Sequence, residues 1–207
     1  MPVLDRPPRT IGVTGGIGSG KSTFSKMLAS LGGIHLDGDQ LARKAVEPGS
    51  EGLRQVRDRF GPQILMDDGT LNRRALGALV FCDHAALADL EAILHPLIGD
   101  LLKATIKTGP YPIIYEATLL FEAGHHHFTD LTVTVVAPRE ITLARVAIRD
   151  SLGVPQIRDR LNSQHDDSYR LNLSDIAVHN NNDLESLEQK ARTLHGDILR
   201  GSFKSVY

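Results

Sequence analysis

Gly15, Gly20, Lys21 and Ser22, within TGGIGSGKSTF (residues 14–24), match the spacing G-x-x-x-x-G-K-[ST] without a mismatch. That spacing holds the phosphates of a nucleoside triphosphate. Glycines let successive backbone N–H groups turn inward around the β-phosphate, and a helix starting near Lys21 points its positive end at the same anion. Lys21 is of a length to reach the β and γ oxygens, and the Ser22 hydroxyl suits Mg²⁺. The expected phosphate contacts are therefore Gly15, Gly16, Ile17, Gly18, Ser19, Gly20, Lys21, Ser22 and Thr23. A dinucleotide fingerprint is excluded, because G-x-G-x-x-G read from Gly16 needs glycine at Lys21, and from Gly18 at Thr23. No N-K-x-D guanine reader and no L-S-G-G-Q-like transporter stretch is present, so a small-molecule kinase leads over GTPase switches and transporter ATPases.

Two further groups of residues suit the same chemistry. Asp37 and Asp39 follow a short apolar run, IHLD, at the edge where open α/β sheets bind ligands; alternating across a strand or turn, one can face the cleft while the other packs away. Arg145 and Arg149, four apart in REITLARVAIRD, share a helix face and could converge on one set of phosphates, although a solvated face gives the same spacing. Glu116, ending PIIYE, stands where a carboxylate near the metal water would be wanted, with plain packing as the alternative.

These residues need a scaffold of alternating strands and helices. RTIGVT, IHLD, YPIIYEA, LTVTVVA and DIAVHN read as strands. Phe24, Met27, Leu28 and Leu31 make one helical stripe, ended by Gly32-Gly33 where a left-handed cap is wanted. Pro138 opens a helix over REITLARVAIRD, and DLESLEQKARTLHGDIL forms another. The expectation is an α/β fold with a parallel sheet covered on both faces. From Asp39 to about Thr108 the texture is helical, with Leu53, Val56 and Phe60 on one face and a long run from Leu87 to Leu101, inside which Pro96 predicts a kink or a boundary. The predicted division is a core of 1–38 and 109–207 with a helical insertion at 39–108.

The chain has 207 residues, 41% of them apolar, enough to bury a real core, and a net charge of -2, so no global field favours nucleic acid or an anionic membrane. Cys82 is the single cysteine and reads as a core residue in a reducing compartment. With no segment apolar enough to span a bilayer, a cytoplasmic protein is expected. The run His125, His126, His127 lacks the i, i+4 spacing of a helical metal site and is not expected to hold one.

TGGIGSGKST, DGDQLARKAVEPGSEGL, DDGTLNRRAL, LHPLI, TLLFEAG and RDRLNSQ together resemble the dephospho-CoA kinases, in that family's order, over Ile11 to about Asn182. The resemblance implies a P-loop NTPase-type three-layer core, a helical CoA-binding insertion and a small helical lid at about 145–166. It also implies transfer of the ATP γ-phosphoryl to the ribose 3′-hydroxyl of dephospho-CoA, giving CoA and ADP. ATP and dephospho-CoA are then the small-molecule partners, with Mg²⁺, no nucleic acid or membrane, and an open oligomeric state. On this likeness Asp39 meets the acceptor hydroxyl, with Asp37 supporting it or the Mg²⁺ water shell. Lys21, Arg145 and Arg149 act on the phosphates, Gly153 is the hinge, and Arg160 and Gln164 belong to the lid. Acceptor binding falls to 39–48, to Arg73 and Arg74, and to His95 with Pro96. The chain departs from the family pattern at Thr118, where proline is usual, and at His179 and Asn182 around Asn180. Another small-molecule or nucleoside monophosphate kinase, and a regulatory ATP-binding module, are the competing readings.

Overall fold

Five buried or half-buried runs of mostly β-branched residues form one parallel sheet in a computed structural model that describes residues 6–80, 83–150, 153–162 and 164–207. The strands are β1 (Thr10–Thr14), β2 (Ile34–Asp37), β3 (Ile113–Glu116), β4 (Leu131–Val136) and β5 (Ile176–His179), in the order β2-β3-β1-β4-β5. Thus β1 lies at the centre, and β3 and β4 flank it. Asp37 and Glu116 fall in register, so two carboxylates end neighbouring strands on the ligand-binding edge of the sheet. Cys82 lies outside the described residues.

The chain divides into two compact units, one of Met1–Asp37 and Gly109–Tyr207, the other of Gly38–Thr108. In the first, α1 (Lys21–Ser30) and α9 (Leu184–Leu199) pack on each other. Phe24, Leu28, Leu187, Ala191 and Leu194 meet Ile11, Val13, Val133 and Val178 in one apolar cluster. α1 ends as its sequence predicts: Gly32 takes φ +139°, and the Gly33 N–H returns to the Ala29 carbonyl at 2.7 Å. Further along are α6 (Arg139–Asp150), α7 (Val154–Asn162) and α8 (Asp167–Leu173), with α6 packed on α7.

The second unit is built from α2 (Gly38–Ala45), α3 (Glu51–Phe60), α4 (Arg73–Val80) and α5 (His84–Thr108). Its own core joins Val46, Leu53, Val56, Phe60, Ile64, Leu76 and Val80. Of the kink or boundary expected at Pro96, the boundary is corrected, since α5 runs as a single helix of 25 residues through that proline. A proline removes one helical hydrogen bond, but α2, α3 and α4 all pack along α5 and hold it. Among the described residues no helix is long and apolar enough to cross a membrane.

Residues 205–207 lie along β5. The Ala177 N–H donates to the Ser205 carbonyl at 2.8 Å, the Tyr207 N–H to Ala177 at 2.9 Å and the His179 N–H to Tyr207 at 2.9 Å. The Tyr207 hydroxyl also donates to Asp197 on α9 at 2.7 Å. Burial, reinforced by the Asp197 carboxylate, pushes the Tyr207 phenol up to about 12. Folded Tyr207 thus keeps a proton that an unfolded tyrosine releases near pH ~10, so stability should fall as pH rises from there toward about 12. Tyr207→Phe is expected to cost about 1 kcal/mol at neutral pH and to abolish that alkaline decline. Urea unfolding at a series of pH values checks both.

Candidate active site

The loop between β1 and α1 is shaped by positions where a side chain has no room. Gly20, just before α1, sits at φ +93°, ψ +13°, a left-handed conformation. A Cβ there would fall on the Asn180 side-chain amide, which donates to the Ser19 carbonyl at 2.7 Å. Asn180 is buried just past β5, and its oxygen accepts from Arg145 at 3.3 Å. The sequence tied Asn180 to no particular contact; in the structure its side chain is the strut that fixes the far wall of the loop.

Ser22, in the first turn of α1, donates its hydroxyl to Glu116, and the other Glu116 oxygen stands 2.7 Å from His35 Nε2. Glu116 is 6% exposed, so this carboxylate is out of water and depends on those two partners. Its hydroxyl proton committed, Ser22 offers oxygen lone pairs to a cation, with Glu116 bonded to it and Asp37 in register with Glu116 as further oxygens. That all-oxygen set fits Mg²⁺. His35 had drawn no notice in the sequence, where a histidine between Ile34 and Leu36 reads only as a strand residue.

The carboxylate pair splits by structure. Asp37 is the last residue of β2, whereas Asp39 is exposed in the first turn of α2, in the other unit. The expected alternation across a strand or turn is thus replaced by a strand end followed directly by a helix start. Arg145 and Arg149 do share α6, and in the structure they have separate partners. Arg145 leans on Asn180 and the Asn182 carbonyl at 3.4 Å, with its Nη1 buried and free of hydrogen bonds. Arg149 instead pairs with its neighbour Asp150, Nε at 2.6 Å, which holds the guanidinium even more firmly protonated than usual.

A cavity of about 370 Å³ is lined by Gly16 and Ile17 of the loop together with Arg139, Gln164, Asp167 and Arg170. Gln164 accepts from the Ile17 N–H at 2.9 Å, joining the predicted lid segment to the loop. Burial pushes the Asp167 carboxyl up, with Arg170 pulling against it. Gly153 is exposed ahead of α7, and its N–H donates to Gln156 at 3.1 Å, while the Arg160 side chain lies outside the described residues. Despite Thr118, the turn after β3 is tied down, Thr14 donating to the Thr118 carbonyl at 3.1 Å. His125 is buried with its Nδ1 2.8 Å from the Tyr115 hydroxyl, a packing contact.

In the second unit Arg74 is exposed in the first turn of α4, and His95 is half-buried within α5. A mainly apolar cavity of about 180 Å³ there is walled by Ala42, Val46, Leu76 and Leu90, and its basic side chain is Arg73 rather than Arg74.

A parallel sheet of order 2-3-1-4-5, with a glycine loop leading from the central strand into a helix whose first residues are Lys21 and Ser22, defines a P-loop kinase. A family model described as dephospho-CoA kinase matches residues 9–186. A Geobacter sulfurreducens dephospho-CoA kinase is 40% identical over 184 residues, covering 87% of this chain and 93% of that protein. Among solved structures, a Thermus thermophilus protein superposes with TM-score 0.77 at 34% identity, covering 93% of this chain and 98% of its own. The dephospho-CoA kinase of Campylobacter jejuni gives 0.69 at 27%, with the same coverage. The chain belongs to the dephospho-CoA kinase family.

Proposed function

We propose that this chain transfers the γ-phosphoryl group of ATP to the ribose 3′-hydroxyl of dephospho-CoA, releasing ADP and CoA. The observation that carries the reading is the Gly15–Ser22 loop at the end of β1, in a chain matching the dephospho-CoA kinase family over residues 9–186. In this reading the loop N–H groups and the N-terminus of α1 take the β-phosphate, and Lys21 the β and γ oxygens. Asp39 orients the acceptor hydroxyl and receives its proton. Arg145, already against the loop strut Asn180, answers charge on the phosphates, and Arg149 joins it on leaving Asp150. The second unit receives the acceptor, its pyrophosphate drawing on Arg73, Arg74 and His95. The segment at about 145–166 closes as a lid that keeps water from the phosphoryl group.

Ser22 would hold Mg²⁺, with Asp37 and Glu116 through its water shell. The ion, when bound, neutralises charge on the β and γ oxygens. Glu116→Gln keeps the hydrogen bond to Ser22 but removes a charge, and should raise the Mg²⁺ concentration for half-maximal rate about 10-fold, with kcat at saturating Mg²⁺ within about threefold of wild type. A magnesium titration of the steady-state rate reads this directly.

The reaction itself is tested by supplying Mg-ATP with dephospho-CoA, AMP or adenosine and following ADP. ADP formed with dephospho-CoA alone supports the assignment. Transfer to AMP instead indicates a nucleoside monophosphate kinase, and no transfer to any acceptor a binding module.

A further inference from the structure

Arg170, on α8, is the largest fully buried side chain among the described residues, only 1% exposed. Its Nη1 donates to the His165 carbonyl at 2.8 Å. The remaining charge is poorly answered: Glu122 stands 3.7 Å from Nη2 and Asp167 3.9 Å from Nη1. Nε and Nη2 make no hydrogen bond, and neither oxygen of the Glu122 carboxylate accepts one. A buried guanidinium used only for packing would be expected to satisfy its donors, because each polar group left unmet in the interior is costly. This one instead lines a cavity that the phosphate loop also lines, at Gly16 and Ile17.

Two guanidinium donors on one edge match two oxygens of a phosphoryl group, the bidentate geometry that makes arginine suited to phosphate. We propose that Arg170 is a catalytic residue whose Nε and Nη2 bind the oxygens of the phosphoryl group in transfer. Glu122, 3.7 Å from Nη2, is its positioning residue. Held in place beforehand in a water-poor wall, the donors stabilise charge as it spreads over the transferring group and need little reorganisation. The bond broken lies between the γ-phosphorus and the bridging oxygen that leaves with ADP, and the bond formed is to the acceptor oxygen, whose proton passes to Asp39. Arg170 neither gains nor loses a proton in this sequence.

The proposal rests on the chain's reading as an ATP-dependent kinase, and the test separates the two. The affinity of wild type and Arg170→Lys is measured for Mg-ADP alone and for Mg-ADP with aluminium fluoride, a mimic of the phosphoryl group in flight, alongside kcat with dephospho-CoA. Lysine keeps the charge but loses the planar pair of donors. The expected result is a kcat at least about 10²-fold lower, Mg-ADP affinity within about threefold, and loss of at least about 10-fold of the added affinity that aluminium fluoride gives. A kcat within threefold of wild type overturns the role, as does equal weakening of both complexes, which would mark Arg170 as purely structural. Should Arg170→Lys fail to fold by circular dichroism, Glu122→Gln takes its place. It is expected to lower kcat about 10-fold with Mg-ADP affinity retained, and an unchanged kcat overturns the proposal. A wild-type protein that forms no ADP with dephospho-CoA overturns the kinase reading, and this proposal with it.

Discussion

In the Asp39→Asn variant, kcat is expected to fall by about 10²–10⁴-fold while ATP binding survives. Asparagine has the shape of aspartate, is well tolerated near a helix start and can still hydrogen-bond a hydroxyl, but it cannot take the proton that the acceptor must shed. Asp39 lies in the first turn of α2 and is exposed, so the exchange leaves both apolar cores untouched. In a loose phosphoryl transition state positioning weighs heavily, which sets the lower end of the range, and full loss of base assistance sets the upper. Steady-state turnover with dephospho-CoA, paired with titration of a non-hydrolysable ATP analogue, separates the two effects. Wild-type turnover in the variant would remove Asp39 from the mechanism.

Gly20→Ala is expected to weaken ATP-analogue binding by more than about 10²-fold, and for a different reason. The backbone at φ +93° is one that a side chain adopts at a cost on the order of 1–3 kcal/mol. The added methyl also lands on the Asn180 amide, which is bonded to the Ser19 carbonyl. Relief requires either the strut or the loop to move, and moving the loop displaces the backbone that would cradle a phosphate. Calorimetric titration of the analogue, with the unfolding midpoint measured in parallel, tests this. Native binding in a folded Gly20→Ala protein would show that the loop accommodates the methyl group and that its shape is not set here.

Much of this framework is visible in the residues themselves. TIGVT, IIYE and LTVTVV are apolar, β-branched and strand-length, and each became a strand flanked by helices. The phosphate loop was legible because its chemistry is local, four residues at fixed spacing. What the sequence withheld was pairing across distance. His35 and Glu116 are 81 positions apart, and nothing in IHLD or IIYE says that they touch. Arg170 sits in DDSYRLNL, where charged neighbours suggest a wetted helix; only the packing of α8 against β4 buries it. Arg145 and Arg149 show the converse, since helical spacing gave a shared face but not the separate partners Asn180 and Asp150. At Pro96 local propensity allows a kink or a boundary, and the three helices packed along α5 carry it past the boundary.

The pairing of residues 205–207 with β5 has a bearing on self-association. A bare sheet edge is a template on which other copies can add strands, the usual start of ordered aggregation. Here the outer groups of β5 at Ala177 and His179 are already engaged by the chain's own residues 205–207, a stretch too short to offer a long template of its own. The opposite boundary, β2, is only four residues long and offers a poor seed. Loosening residues 205–207 would uncover the Ala177 and His179 N–H groups and the Ala177 carbonyl, the groups on which another copy could add a strand.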